Sequence, residues 1–173
     1  DLLQVDRSKK PVKTLFIFRH AKSSWAEQGV HDIDRSLNGR GIQDAHDTGE
    51  WLKEKGESAE CIVSSPANRA LHTATIISQA LDIPLSSLQM ERKLYQADPW
   101  DIEEVVRTLP NHIDKAMLFG HNPGMPLFLD QCIQKRIDHF PTCSVACIRF
   151  DSDSWIDRNG PAELLFFSAP KLR

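Results

Sequence analysis

The chain has 173 residues, of which 40% are hydrophobic and 26% charged, and its formal net charge is −3. This composition is typical of a globular domain, and the negative charge argues against general binding to nucleic acid or to anionic membranes. No stretch approaches the roughly 18 apolar residues of a membrane span, and the chain does not begin with an apolar signal core. We therefore expect a cytoplasmic protein with one domain over residues 1–173, in which residues 1–12 form an irregular extension.

The first predicted element is a short buried strand that ends in a cation and an imidazole. Thr14 to Phe18 is a run of β-branched and aromatic residues, as in strands that are covered on both faces. Arg19 and His20 follow this run directly. The next stretch, SSWAEQGVHDIDRSLNG, has no clear periodicity and is predicted to be a loop.

Two helices are predicted to follow, separated by a second strand. Asn38 is expected to cap the first helix and Gly56 to end it. After the strand from Cys61 to Ser64, Ser65 is expected to be the N-cap of the second helix, with Pro66 at the first helical position. Apolar positions recur at helical spacing in both helices and should face the core: Ile42, Ala45, Gly49 and Leu52 in the first, and Ala70, Ala74, Ile77 and Leu81 in the second.

The later part of the chain continues the alternation of strands and helices. Asp98-Pro99 opens a helix with the apolar stripe Ile102, Val105, Val106 and Leu109, and Asn122-Pro123 opens another helix after the strand from Ala116 to Phe119. Near the C-terminus, SVACIRF and ELLFFSA are predicted to be two antiparallel strands. The order of elements predicts an α/β fold, a three-layer α/β/α sandwich with a mostly parallel central sheet.

Basic side chains recur where the predicted strands end. Arg19 and His20 follow the first strand, Arg69 follows the second and His121 follows the third. Ligands of open α/β sheets bind beyond the carboxyl ends of the strands, where helix N-termini add N–H donors. Each side chain taken alone is typical of a structural or surface position. Their shared position favours a site for a dianion, and paired guanidinium groups suit a phosphoryl group in particular.

The cysteines predict neither a disulfide framework nor a metal site. A chain of this size without a secretory signal is expected to keep its thiols reduced and mostly buried. Cys143 and Cys147, with His139 nearby, do not have the spacing of a zinc site, and no second pair of cysteines completes four ligands. We predict that no metal is bound.

Four segments together resemble the motif set of the histidine phosphatase superfamily, and above all its small SixA-type phosphohistidine phosphatases. These segments are FIFRHAKSS, DRSLNGRG, SSPANRALHTA and LFGHNPG, and they extend from about Thr14 to Gly124. An Arg-His pair alone is weak evidence, but four segments in the right order are strong evidence. The resemblance implies a phosphoglycerate mutase-like fold and a phosphatase that needs no cofactor.

The resemblance also implies roles for the matching residues. His20 is implied to be the nucleophile, which forms a covalent phosphohistidine that water then hydrolyses. Three further residues are implied to hold the phosphoryl oxygens: Arg19, Arg69 and His121. Ser23 and Asn38 are additional candidates for the phosphate pocket. A strand-end carbonyl is expected to accept the other ring N–H of the nucleophile and so to fix its tautomer.

The identity of the substrate depends on the leaving group. An alkoxide needs a proton from a general acid, whereas an imidazole leaves as a neutral molecule once its other nitrogen is protonated. Asn122, which follows the second histidine, cannot act as an acid, and the later loop offers only Glu91 and Asp98. This shortage, and a compact chain that leaves the site open, favour a histidine-phosphorylated protein as substrate. A phosphatase for small phosphomonoesters with Glu91 or Asp98 as acid, and a non-catalytic phosphate-binding module, remain as alternatives.

Overall fold

The computed structural model describes residues 10–26 and 28–173, so most of the expected N-terminal extension lies outside the described residues. Within them a six-stranded sheet is packed between two pairs of α-helices, which confirms the predicted α/β/α sandwich. The strands are β1 (Lys13–Arg19), β2 (Cys61–Ser64), β3 (Leu88–Met90), β4 (Lys115–Gly120), β5 (Val145–Phe150) and β6 (Glu163–Ser168). The helices are α1 (Gly39–Glu54), α2 (Asn68–Ala80), α3 (Pro99–Arg107) and α4 (Gly124–Ile133).

The strand order β3-β2-β4-β1-β5-β6 brings the three predicted strand ends together. β1, β2, β3 and β4 are parallel to one another, β5 pairs with β1 in antiparallel orientation, and β6 pairs with β5 in antiparallel orientation. The sheet is therefore mixed but mostly parallel. Because β4 lies between β1 and β2, the carboxyl ends of these three strands are neighbours at one edge of the sheet.

The alternation of side chains along β1 explains why the sheet is covered on both faces. Leu15 and Ile17 belong to the core that includes residues of α3 and α4. Phe16 and Phe18 point the other way, into the core formed with α1 and α2. All four side chains are fully buried, which accounts for the continuous apolar run in the sequence. No helix of residues 10–26 and 28–173 combines the length and the apolar character that crossing a bilayer requires.

The predicted helix caps are confirmed at two positions and wrong at a third. Asn38 caps α1 by accepting a hydrogen bond from the Gly41 N–H at 2.8 Å, and Asp98 caps α3. In contrast, α2 begins at Asn68 rather than at Pro66, and its N-cap is Ala67. Ser65 does not cap α2, because its hydroxyl accepts from the Ala67 N–H before the helix begins and also contacts a histidine of the site.

Three further details differ from the predictions. β3 was not predicted, α4 begins at Gly124 with Pro123 as its N-cap, and Ile42 is exposed on α1. Ile42 therefore does not belong to the core-facing side of α1, although Ala45, Gly49 and Leu52 do.

Two glycines in the quoted motifs allow the chain to approach itself closely. A Cβ atom at Gly41 would lie 2.1 Å from the carbonyl oxygen of Lys22, and one at Gly124 would lie 2.2 Å from that of Ala97. Contacts this short are not tolerated, so any larger residue would displace backbone. Gly41 thus lets the segment after β1 pack against the first turn of α1.

Candidate active site

His20 is held at the end of β1 by its neighbours on both sides. Its backbone N–H donates to the carbonyl of Gly120 at 3.1 Å, and its own carbonyl accepts from the N–H of Cys143 at 3.0 Å. The ring Nδ1 lies 2.6 Å from the carbonyl oxygen of Ala21. Because a carbonyl can only accept, Nδ1 carries the proton and Nε2 is left with its lone pair. The expected strand-end carbonyl is therefore that of Ala21.

The protonation state of His20 follows from its surroundings. The side chain is only 7% exposed, and this burial is the main reason that its pKa is lowered to about 3. The positive charges of Arg69 and Arg19 and the nearby ring of His121 lower the pKa further, while the hydrogen bond to Ala21 acts in the opposite direction. The imidazole is neutral at physiological pH, as a nitrogen nucleophile requires.

His121 follows β4 and lies next to His20. The two ring centroids are 5.2 Å apart, and Nε2 of His121 lies 2.8 Å from the Ser65 hydroxyl oxygen. Burial, followed by the charge of Arg69, lowers the pKa of His121 to about 4. Its Nδ1 is buried and has no hydrogen-bond partner among the described residues.

Arg19 and Arg69 approach the two histidines from β1 and from the first turn of α2. Arg19 Nη1 donates to the carbonyl of Phe140 at 3.1 Å. Arg69 is only 6% exposed, and its Nη1 and Nη2 donate to the carbonyl and to Oδ2 of Asp32, at 2.7 and 3.0 Å. The Nε atoms of both arginines are buried and unpaired within the described part of the chain. The structure thus brings the two predicted arginines to the two predicted histidines.

Three residues of this region were not singled out by the sequence analysis. Asp32 begins a short 3-10 helix (Asp32–Asp34) inside the predicted loop, and its Oδ2 accepts a hydrogen bond from the Tyr95 hydroxyl at 2.7 Å. This hydrogen bond is the largest cause that lowers the pKa of Asp32, so the carboxylate is ionised. Arg35 forms an ion pair with Asp32, with Nε 3.3 Å from Oδ1, and its guanidinium lies on the ring of Trp25.

Arg35 adds a third guanidinium to the site. Its Nη2 donates to the hydroxyl of Ser23 at 2.9 Å, and its Nη1 is buried without a partner in the described ranges. The spacing of Asp32 and Arg35, three residues apart in the segment SSWAEQGVHDIDRSLNG, is the signal that could have identified them. The contact with Tyr95 comes from 63 residues away and leaves no local signal.

The two additional candidates for the phosphate pocket, Ser23 and Asn38, have different surroundings. Ser23 contacts Arg35 and forms an isolated β-bridge with Leu37, so it is part of the loop that carries the third guanidinium. The Asn38 side chain is engaged in capping α1. A role for either residue in binding phosphate stays a prediction.

The two candidate acids both serve as caps. Glu91 Oε1 accepts from the Lys93 N–H at 3.0 Å, and Asp98 Oδ1 accepts from the Asp101 N–H at 2.9 Å. Asp98 also lines a cavity of about 360 Å³ together with His121. Its place beside the site keeps the hypothesis of an acid role open to experiment.

Buried nitrogens without a hydrogen-bond partner occur on four side chains of the site. They are the guanidinium nitrogens Arg19 Nε, Arg35 Nη1 and Arg69 Nε and the ring nitrogen His121 Nδ1, all unpaired in residues 10–26 and 28–173. Leaving a buried donor unpaired costs about 1–3 kcal/mol. Nε of Arg149 and of Arg158 is also buried and unpaired, so the clustering of these nitrogens beside two histidines, and not the lack of partners alone, indicates a ligand. No group of three or more side chains suited to a metal ion occurs in the same residues. The chemistry is that of an oxyanion receptor built beside a neutral histidine.

The fold and this site define an α/β protein that is equipped to bind and transfer a phosphoryl group. The family model described as histidine phosphatase superfamily (branch 1) matches residues 15–94, which contain Arg19, His20 and Arg69. Over these residues, just under half of the chain, the protein therefore matches the histidine phosphatase superfamily, and this match supports its assignment as a phosphohydrolase.

Similar proteins extend the likeness over most of the chain. An uncharacterised protein of Mycobacterium tuberculosis is 29% identical over 88% of this chain and 99% of its own length. The structure of the proposed phosphohistidine phosphatase SixA from Agrobacterium tumefaciens has a TM-score of 0.77 and 26% identity, covering 91% of this chain and 98% of that one. A protein histidine phosphatase SixA in complex with tungstate has a TM-score of 0.79 at 20% identity, covering 91% and 97%, and shares the fold.

Proposed function

We propose that the protein removes the phosphoryl group from phosphohistidine in a protein substrate, with His20 as the nucleophile. The observation that carries this proposal is the neutral ring of His20, whose Nε2 keeps its lone pair because Nδ1 donates to the Ala21 carbonyl, and which lies beside His121 and within reach of the charges of Arg19 and Arg69. A phosphohistidine side chain from a partner protein would place its phosphoryl group among these side chains.

The reaction proceeds in two displacements at phosphorus. Nε2 of His20 attacks in line, the bond between phosphorus and the substrate nitrogen breaks, and the substrate imidazole leaves as a neutral group with its other nitrogen already protonated. Arg19, Arg35, Arg69 and His121 donate hydrogen bonds to the equatorial oxygens, whose charge they stabilise in the transition state. Water then attacks the phosphorylated His20, which releases inorganic phosphate and restores the neutral imidazole.

The carboxylates near the site favour a nitrogen leaving group. The pKa of Asp32 is lowered, so this residue holds no proton to donate at neutral pH. Glu91 and Asp98 each cap a helix with one carboxylate oxygen, which accepts a hydrogen bond from a backbone N–H. A substrate whose leaving group needs no acid fits this arrangement better than an alkyl phosphate does. The SixA structure that shares this fold is a complex with tungstate, an oxyanion that mimics a phosphoryl group.

The test compares phosphate release from a histidine-phosphorylated protein domain with release from a panel of alkyl phosphomonoesters under the same conditions. We expect fast release from the protein and slow turnover of the alkyl esters. Fast turnover of one alkyl ester that is lost in Asp98→Asn or Glu91→Gln would support a small-molecule phosphatase instead. Binding of phosphorylated proteins without release from any substrate would support a non-catalytic phosphate-binding module.

The cytoplasmic location stays a prediction. It rests on the cysteines, which are unpaired in the structure, with Cys61, Cys143 and Cys147 buried and Cys132 half-buried. Such thiols are typical of a reducing compartment. The expectation that nucleic acid and membranes are not partners likewise stays a prediction.

A further inference from the structure

A second cavity adjoins the candidate active site and is lined mainly by basic side chains. Its volume is about 500 Å³. The charged and titratable side chains of its lining are Arg19, Lys22, Arg40, Asp44, His139 and Lys171. A concentration of cations like this is not expected from the composition, since the chain as a whole has a net charge of −3.

The one carboxylate in this lining is already neutralised. Oδ1 of Asp44 lies 3.0 Å from Nε of Arg40, four residues earlier on α1. Lys22 and Lys171 are exposed, and no carboxylate of residues 10–26 and 28–173 lies within 4.0 Å of either ammonium group. The cavity therefore has a local excess of positive charge that is available to an anion from outside the chain.

Arg19 connects this cavity to the phosphoryl site. Its side chain lines the cavity, while its Nε is among the unpaired donors around His20. Lys22 follows His20 by two residues, and His139 directly precedes Phe140, whose carbonyl accepts from Arg19. A group in the cavity would thus lie next to a phosphoryl group that is bound at His20.

We propose that this cavity binds an acidic side chain of the protein substrate, one that lies close to the phosphorylated histidine. The proposal rests on the proposed function and names the kind of protein surface that the enzyme selects. The volume is ample for a glutamate side chain, and charges at the rim of a site raise the association rate and select partners. Acidic neighbours would thus distinguish one histidine-phosphorylated protein from another.

The first experiment uses three synthetic histidine peptides, phosphorylated on histidine with phosphoramidate and flanked by glutamate, alanine or lysine. For the wild-type protein at low ionic strength, we expect kcat/KM to be about three- to tenfold higher for the glutamate peptide than for the alanine peptide, since exposed ion pairs contribute modestly. The lysine peptide should be the poorest substrate, and added salt should reduce the preference.

The matched variants are Lys22→Met/Lys171→Met and, as a control, Lys53→Met/Lys135→Met, which removes two exposed charges elsewhere. The first pair should lose most of the preference for glutamate, whereas the control pair should keep it. Turnover of p-nitrophenyl phosphate, which carries no acidic flank, should be equal in both. A preference that persists in Lys22→Met/Lys171→Met, or that is absent from the wild type, overturns the proposal while leaving the phosphohistidine activity in place.

A second measurement does not depend on turnover. Fluorescence anisotropy of labelled hexaglutamate reports binding to the cavity directly, and binding should weaken in Lys22→Met/Lys171→Met but not in the control pair. If no phosphohistidine peptide is turned over and this binding pattern is found, the acidic site stands and the proposed function fails. Equal binding by all three proteins overturns the site.

Discussion

Buried cations lie at both ends of strand β1, Lys13 at the amino end and Arg69 beside the half-buried Arg19 at the carboxyl end, but their hydrogen-bond donors are satisfied to different degrees. At the amino end, the side chain of Lys13 is 1% exposed. Its ammonium donates to the carbonyls of Asn111 and Ile113 at 2.6 and 2.9 Å and to Oδ1 of Asp114 at 2.8 Å. Three donors meet three acceptors, so the charge is accommodated entirely within the protein.

At the carboxyl end, the donors outnumber their acceptors. Arg19 donates one N–H to the Phe140 carbonyl, and its Nε is unpaired. Arg69 and His121 each also have one unpaired nitrogen. Burial and charge are common to both ends of the strand, so neither property identifies a site. The difference is that every donor of Lys13 has an acceptor within the protein, whereas several unpaired nitrogens cluster at the carboxyl end, where an anionic ligand would supply the acceptors.

The largest expected effect is on the nucleophile. His20→Ala should lower kcat/KM more than a thousandfold (~10³), because it removes the proposed nucleophile, the group that carries the phosphoryl group in the covalent intermediate. His46→Ala, the same change at an exposed position of α1, is the control and should leave kcat/KM unchanged. Circular dichroism and urea unfolding should show that both variants fold. More than a trace of activity in His20→Ala would show that His20 is not the nucleophile.

Arg69→Ala should weaken inhibition by vanadate. The expected loss is ~2–4 kcal/mol for a buried charged partner, which is roughly 30- to 1000-fold in the inhibition constant. Arg92→Ala, which removes an exposed arginine, provides the control. An unchanged inhibition constant in Arg69→Ala would remove this residue from the anion site and would weaken the argument from unpaired donors.

The pKa values of the two site histidines should be lower than that of an imidazole in water. Burial and the nearby guanidinium groups disfavour the charged form, so the pKa of His20 is lowered to about 3 and that of His121 to about 4. A lowered pKa means that each ring stays neutral as the pH falls from 7.5 to 5. Long-range ¹H–¹⁵N NMR spectra of the histidine rings measure this directly. Protonation of His20 near pH 6.5 would contradict the neutral nucleophile.

The sequence was sufficient to predict the buried strands and the meeting of their ends. β1, β2 and β4 are covered on both faces, so their sequences are continuous apolar runs that are easily recognised. β3 has only three residues, of which Leu88 is half-buried and the others exposed, and such a strand has no pattern to detect. The start of α2 was wrong because Ser65-Pro66 satisfies the general rules for a helix start, while a tertiary contact with His121 uses the serine hydroxyl.

The sequence predicted the site residues whose positions follow from the ends of strands. It did not predict those whose positions depend on contacts between distant segments of the chain. Arg19 is the last residue of β1, and His20 and His121 directly follow β1 and β4, so the parallel sheet brings the three residues together independently of the loops. Asp32 and Arg35 lie in a segment without periodicity, and their positions depend on contacts with Arg69 and Tyr95 from elsewhere in the chain. Contacts of this kind do not follow from composition or spacing.

The smallest expected effect is at the amino end of β1, and it should appear in stability rather than in activity. Lys13→Met keeps an unbranched side chain but leaves the Asn111 carbonyl without its donor, while the Ile113 carbonyl still accepts from the Trp155 indole N–H at 2.8 Å. We expect the free energy of unfolding in urea to fall by about 1–3 kcal/mol.

Activity per folded molecule should not change in this variant, because each Lys13 hydrogen bond ends within the protein and none is made to substrate. Lys53→Met, at an exposed position, should alter the free energy of unfolding by no more than ~0.5 kcal/mol. A loss of kcat/KM in Lys13→Met at unchanged stability would contradict a purely structural role for Lys13 at the amino end of β1. It would mean that a cation with all its donors paired can still serve the reaction, and that unpaired donors do not by themselves locate the site.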